Sequence, residues 1–196
     1  MKNDRIAGVI LAAGESKRLG QPKQLISWNG KPLIEHTARV ALAGGLDPVV
    51  VVIGYRADEV RAAIQAPATI IENPRWHEGM STSLHAGLDA LPSDVIAAIM
   101  LLIDQPRVDA RHIKAMVEAY RSSVQPIVVS TFQGRRASPT LFDRSLFGEL
   151  AQVSGDTGGR SVLLAHPDRV TAVEAGSEIT LLDIDTPDDW QRIQNG

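Results

Sequence analysis

The nine residues from Val95 to Ile103 are apolar without interruption, and Asp104 closes the run. The stretch is too short to cross a membrane and too uniform for a strand with one wet face. It fits a strand inside a parallel sheet that is covered on both sides. Val49-Val50-Val51-Val52-Ile53 and the run Ile6 to Leu11 read the same way. Helical patterns lie between and after these runs, from Pro32 to Gly44-Gly45, Asp58 to Gln65, Ser81 to Leu91 and Ala110 to Ser122. This alternation predicts an α/β fold, a single three-layer doubly wound domain with a mostly parallel sheet. Such sheets bind ligands across the carboxyl ends of their strands.

The rhythm changes at Pro126. Ile127 to Phe132 and Pro139 to Phe142 flank Gln133-Gly134-Arg135-Arg136, a hairpin pattern. Short helices around Leu146 to Ala151 and Gly159 to His166 follow, then strand candidates at Val170 to Val173 and Leu181 to Asp185. With 196 residues, 44% of them hydrophobic, one buried core is expected and two would be cramped. We therefore expect one domain over residues 1–196, with halves of about 1–125 and 126–196. A net charge of −3 argues against a nucleic-acid surface. The absence of cysteine excludes disulfides, thiolate metal sites and a thiol nucleophile. Neither a signal-peptide pattern nor a membrane span is legible, so a cytoplasmic protein with no membrane partner is expected.

The first apolar run leads into Leu11-Ala12-Ala13-Gly14-Glu15-Ser16-Lys17-Arg18-Leu19-Gly20-Gln21-Pro22-Lys23. Glycine lets backbone N–H groups converge on an anion, and Lys17, Arg18 and Lys23 supply countercharge for phosphates. The spacing matches neither G-x-x-x-x-G-K-[ST] nor G-x-G-x-x-G. It suits a nucleoside triphosphate better than an ordinary strand-to-helix connection. Pro22 restricts the backbone before Lys23 and would aim its ammonium inward, where a compact charge stabilises a transition state at the α-phosphate. Arg18, with its forked guanidinium, suits a departing pyrophosphate, whereas Lys17 reads as a solvated loop charge.

Asp104 would be costly to desolvate beside nine apolar residues unless it met a cation, and its place at a strand end would face the crevice. A turn before Gln105-Pro106 is its plainer role. Asp183 and Asp185, two apart on a predicted strand, would project to one side. A carboxylate from each strand, with triphosphate oxygens and water, would satisfy octahedral Mg²⁺. Thr186, Pro187 and Asp189 read as N-cap, first residue and acidic third residue of a final helix. The five histidines show no metal-ligand spacing.

Five segments in one order carry a resemblance over nearly the whole chain. They are the Leu11–Lys23 loop, Asn73-Pro74-x-Trp76-x-x-Gly79-Met80-Ser81-Thr82-Ser83-Leu84, Asp104-Gln105-Pro106, Gly155-Asp156-x-Gly158-Gly159-Arg160 and Asp183-Ile184-Asp185-Thr186-Pro187. The chain resembles the nucleotidyltransferases related to molybdopterin guanylyl- and cytidylyltransferases, above all the molybdenum cofactor cytidylyltransferase branch. The resemblance implies transfer of CMP from CTP to the terminal phosphate of a molybdopterin-type cofactor, with Mg²⁺ as cofactor. Lys23, Arg18 and Asp104 would be catalytic, and Asp104 and Asp185 would hold the metal, with Asp183 as fallback. Leu11, Ala12, Ala13, Gly14, Glu15 and Ser16, with Gly79, Met80, Ser81 and Ser83, would hold the nucleotide in the first half of the chain. Arg135, Arg136, Asp156 and Arg160 would hold the acceptor in the second, and a molybdoenzyme or its chaperone is an implied partner. The chain departs from the pattern at Ala137-Ser138-Pro139, where relatives carry Gly-His-Pro or Gly-Asn-Pro. Alternative readings are GTP as donor, a sugar or alditol phosphate as acceptor, a non-catalytic nucleotide-binding accessory protein, and redox use of the scaffold with a nicotinamide cofactor.

Overall fold

The computed structural model describes residues 4–195. Among the described residues nine strands are present: β1 (Arg5–Ala12), β2 (Ser27–Trp28), β3 (Lys31–Pro32), β4 (Val49–Ile53), β5 (Thr69–Glu72), β6 (Val95–Leu102), β7 (Ile127–Phe132), β8 (Arg135–Asp143) and β9 (Val170–Glu174). Seven of them form one sheet in the order β5-β4-β1-β6-β8-β7-β9, and β2 pairs with β3 in a small antiparallel ribbon. Within the large sheet only β8 runs against its neighbours. The helices are α1 (Leu33–Ala43), α2 (Ala57–Ala62), α3 (Met80–Asp89), α4 (Ala110–Ser122), α5 (Phe147–Leu150), α6 (Arg160–Ala165) and α7 (Pro187–Asn195). The single three-layer α/β domain with a mostly parallel sheet is as the sequence leads one to expect. Among the described residues no helix is long and apolar enough to cross a membrane.

The layers follow from strand periodicity. Ile6 and Ile10 of β1 point to one face with Val49, Val51, Ile99 and Leu101, where Leu33 and Ala38 of α1, Ile113 of α4 and Ile193 of α7 meet them. Ala7, Val9 and Leu11 point to the other face with Val50, Val52 and Met100, against Leu84 of α3, Leu150 of α5 and Leu163 of α6. Both faces are covered, which is why β4 and β6 show no polar alternation. Burying a Leu or Ile side chain of this kind stabilises the fold by about 1.5–3 kcal/mol.

Three local expectations are corrected. Leu181 to Asp185 forms no strand: a 3-10 turn spans Glu178–Leu181 and the chain then runs on unpaired. Both edges of β6 are already taken by β1 and β8, so this segment crosses the end of β6 instead of extending the sheet. One backbone bond, from Ile184 N–H to the Asp104 carbonyl at 2.9 Å, pins it there. Strand β5 and the ribbon β2–β3 were not foreseen, being short and partly exposed. Pro32 precedes α1 rather than occupying its first turn. The hairpin at Gln133-Gly134 is present with φ of 49° and 77°, the left-handed pair of a tight two-residue turn. The final helix is closed as read: Asp189 N–H donates to Thr186 Oγ1 at 3.2 Å, and Asp189 Oδ2 accepts from Thr186 N–H at 2.9 Å.

Buried Glu35 on α1 ties down the chain after α2. Its Oε2 accepts from the N–H groups of Gln65 and Ala66 at 2.8 and 2.9 Å, and Oε1 meets Arg39 Nε at 2.5 Å. Burial works to raise its pKa, but those two amides and Arg39 outweigh it and hold the pKa below the ordinary 4.5. A folded pKa below the unfolded one gives stability that is full above the unfolded value and lost as pH falls through the folded one. Glu35→Gln is expected to cost about 1–3 kcal/mol at pH 7. Urea melts at pH 7 and pH 3.5 test this, the gap between the two proteins closing at the lower pH. An equal gap at both would remove the charge from the account.

Candidate active site

The carboxyl ends of β1 and β6 lie side by side, so the loops that leave them converge. The loop after β1 turns through Ser16 at φ 60° and a 3-10 turn at Lys17–Leu19, and Gly20 at φ 74° ends that turn. A second 3-10 turn, Lys23–Leu25, points Lys23 back beneath the loop. Its ammonium is almost wholly buried and meets Asp104 Oδ2 and Asp185 Oδ1, each at 2.9 Å. Arg18 Nη2 takes the other oxygen of Asp185, Oδ2, at 3.0 Å. Burial alone would lower the Lys23 pKa, but Asp104 and Asp185 outweigh it and the pKa lies above the ordinary lysine value. Lys23, Arg18, Asp104 and Asp185 thus meet in one cluster, though more than eighty residues separate Lys23 from Asp104.

Asp183 does not share a strand face with Asp185, because that strand is absent. It keeps solvent contact within a concave wall. Partial desolvation there, followed by the negative charges of Asp104 and Asp185, pushes its pKa up to about 6. Asp104 Oδ1 is buried and has no hydrogen-bond partner in the protein. A buried carboxylate oxygen left this way calls for a cation or water. Among the described residues no group of three acidic or imidazole side chains forms a cage. Mg²⁺ does not require one, since it is commonly held by one or two carboxylates with phosphate oxygens and water.

A cleft of about 760 Å³ opens beside this cluster. Leu11, Met80 and Asp185 line it, together with Arg135, Arg136, Asp156 and Arg160. Ala12, Ala13, Ser81 and Ser83 are buried behind the surface. Ser83 is among these, and its hydroxyl accepts from Asn73 Nδ2 at 3.0 Å. Asn73, which carries no role in the sequence reading, ties the loop before α3 by a second bond to Thr82 at 2.9 Å. Its only signal is its place in Asn73-Pro74. Trp76 packs on Gly54 and the edge of Tyr55. Asp156 Oδ1 accepts from Met80 N–H at 3.1 Å and thereby ties the turn at Gly155–Thr157 to the start of α3. Gly79 sits at that junction with φ 116°, and a Cβ there would lie 2.8 Å from the Gly155 backbone, so only glycine fits. Arg135 is exposed, with Glu178 at 3.9 Å, and Arg136 donates to the Pro167 carbonyl at 3.1 Å. Lys17 pairs loosely with Glu15 at 3.3 Å in solvent, as its reading as a loop charge implies.

The chain is 34% identical over 196 residues to nicotine blue oxidoreductase of Paenarthrobacter nicotinovorans, covering 96% of each protein. It is 28% identical to molybdenum cofactor cytidylyltransferase of Escherichia coli K12, covering 93% of this chain and 92% of that one. The crystal structure of Rv0371c from Mycobacterium tuberculosis H37Rv superposes with a TM-score of 0.85 at 31% identity, over 98% of both chains. Its complex with manganese superposes with a TM-score of 0.79 at 29% identity, covering 98% of this chain and 99% of that one. The model of the MobA-like NTP transferase domain matches residues 8–170. The chain, with its glycine loop over a buried Lys–Asp cluster, belongs to the MobA-like NTP transferase family.

Proposed function

We propose that this cleft transfers CMP from CTP to the terminal phosphate of a molybdopterin-type cofactor and releases pyrophosphate. The observation that carries the reading is the meeting of Lys23 with Asp104 and Asp185 beside a cleft that Arg135, Arg136 and Arg160 also line. The relative from E. coli, cytidylyltransferase by name, supports the choice of donor and acceptor.

An acceptor phosphate is largely ionised near neutrality, so its oxygen attacks the α-phosphorus without a strong base. The bond from the α-phosphorus to its bridging oxygen breaks, and pyrophosphate leaves with the electron pair. Arg135, Arg136 and Arg160 would orient the attacking phosphate in line. Lys23 would move from its carboxylates onto α-phosphate oxygens as charge builds there, and Arg18 would receive the pyrophosphate. Asp104 and Asp185 would hold Mg²⁺, for which the unpartnered Asp104 oxygen is suited, and the ion would neutralise phosphate charge.

The name of the oxidoreductase relative, at 34% identity, favours a second reading, redox use of the same cleft. Hydride transfer has no need of a lysine between two carboxylates, and for that reason we prefer nucleotidyl transfer. The test is pyrophosphate release with CTP, GTP, ATP and UTP, each with and without molybdopterin cofactor. CTP is expected to exceed GTP by at least about 10-fold in kcat/KM, in line with the likeness to the E. coli cytidylyltransferase. GTP as the better donor overturns the cytidylyl assignment, and nicotinamide oxidation without pyrophosphate release overturns transfer itself.

A further inference from the structure

Gln24, next to Lys23 in the same turn, is 1% exposed. Its Nε2 donates to the Ala12 carbonyl at 2.7 Å and to the Gly14 carbonyl at 2.8 Å. The amide cannot be turned over, since its oxygen would then face two carbonyl oxygens at those distances. The carbonyl between them, of Ala13, accepts from Tyr55 N–H at 2.9 Å. Three successive carbonyls of the loop are thus bound inside the protein. Among the described residues, the N–H groups of Gly14, Glu15 and Ser16 donate to no protein acceptor. The turn also grips the loop farther along, where Lys23 N–H reaches Ser16 Oγ at 3.4 Å.

Backbone whose carbonyls are consumed on one side and whose N–H groups are free on the other is a receptor for anions and acceptor groups. We propose that Gln24 is the positioning residue of this loop, its amide drawing the carbonyls of Ala12 and Gly14 inward so that the loop presents N–H groups to a nucleoside triphosphate. The inference rests on the nucleotidyl-transfer reading above. Gln24 touches no reacting atom. It also fixes the loop relative to Lys23, because one turn carries both side chains.

Gln24→Met removes the donors at similar volume, and Gln24→Asn keeps them on a stem too short to span both carbonyls. Equilibrium binding of CTP with Mg²⁺ and steady-state kinetics are measured for each. Gln24→Met is expected to weaken CTP binding and raise its KM by about 10-fold or more, a tenfold step being the loss of one modest interaction. Its kcat should stay within about threefold, because the interactions confined to the transition state are kept. Amides of Gly14 to Ser16 should exchange faster with deuterium while those of β1, β4 and β6 keep their protection, and Gln24→Asn should lie between. Wild-type CTP affinity in Gln24→Met overturns the proposal, as does loss of protection across the sheet with kcat and KM failing together. Should Gln24→Met not fold, Gln24→Asn decides: a raised KM at unchanged kcat supports the proposal, and a wild-type KM overturns it. Failure of the wild-type protein to bind any of the four triphosphates overturns the transferase reading itself, and this inference with it.

Discussion

Asp104→Asn is expected to lower turnover by roughly 100- to 1,000-fold, the cost of removing one preorganised group that meets developing charge. The variant should keep its fold. The amide oxygen can still accept from Lys23, and Lys23 retains Asp185 at 2.9 Å, so no buried ammonium is left unpaired. What disappears is one negative charge from the pair that would hold Mg²⁺, together with the oxygen that has no protein partner. Pyrophosphate release at limiting Mg²⁺, beside a thermal melt, reads both effects. Near-normal turnover under those conditions would remove Asp104 from the site.

Lys23→Ala should act on kcat more than on CTP binding, by roughly 100-fold or more against a change of a few fold in KM. In the resting arrangement the ammonium is committed to Asp104 and Asp185, so it adds little to ground-state affinity. Its contribution comes when charge on the α-phosphate draws it across. The substitution also strips Asp104 and Asp185 of a buried partner, and Arg18 on Asp185 offsets only part of that loss. A lower melting temperature is therefore expected alongside the kinetic effect. Collapse of CTP affinity at unchanged kcat would make Lys23 a clamp on bound substrate instead.

The parts of this molecule that were legible beforehand are those whose physics is local. Val49–Ile53 and the run from Val95 are buried on both faces, and continuous apolar sequence reports that directly. The glycine loop and its cations were visible because few other structures require them together. The Leu181–Asp185 segment misled because its apolar residues pack across the end of β6, and sequence shows that a segment is buried but not which edge remains open. Strand β5 escaped because an edge strand of four residues has little periodicity to show. Gln24 escaped for another reason. A buried amide that organises a neighbouring loop looks, in sequence, like any surface glutamine, and its partners appear only once the chain has folded.

The most direct test of the central claim follows the nucleotide itself. CTP labelled at the α-phosphate is incubated with the protein, Mg²⁺ and molybdopterin cofactor, and label and pyrophosphate are counted together. The account expects label in a new dinucleotide product, with one pyrophosphate released for each label transferred and neither in the Asp104→Asn protein above background. Retention of all label in CTP, or its appearance only as free CMP at the same rate with and without acceptor, would contradict it.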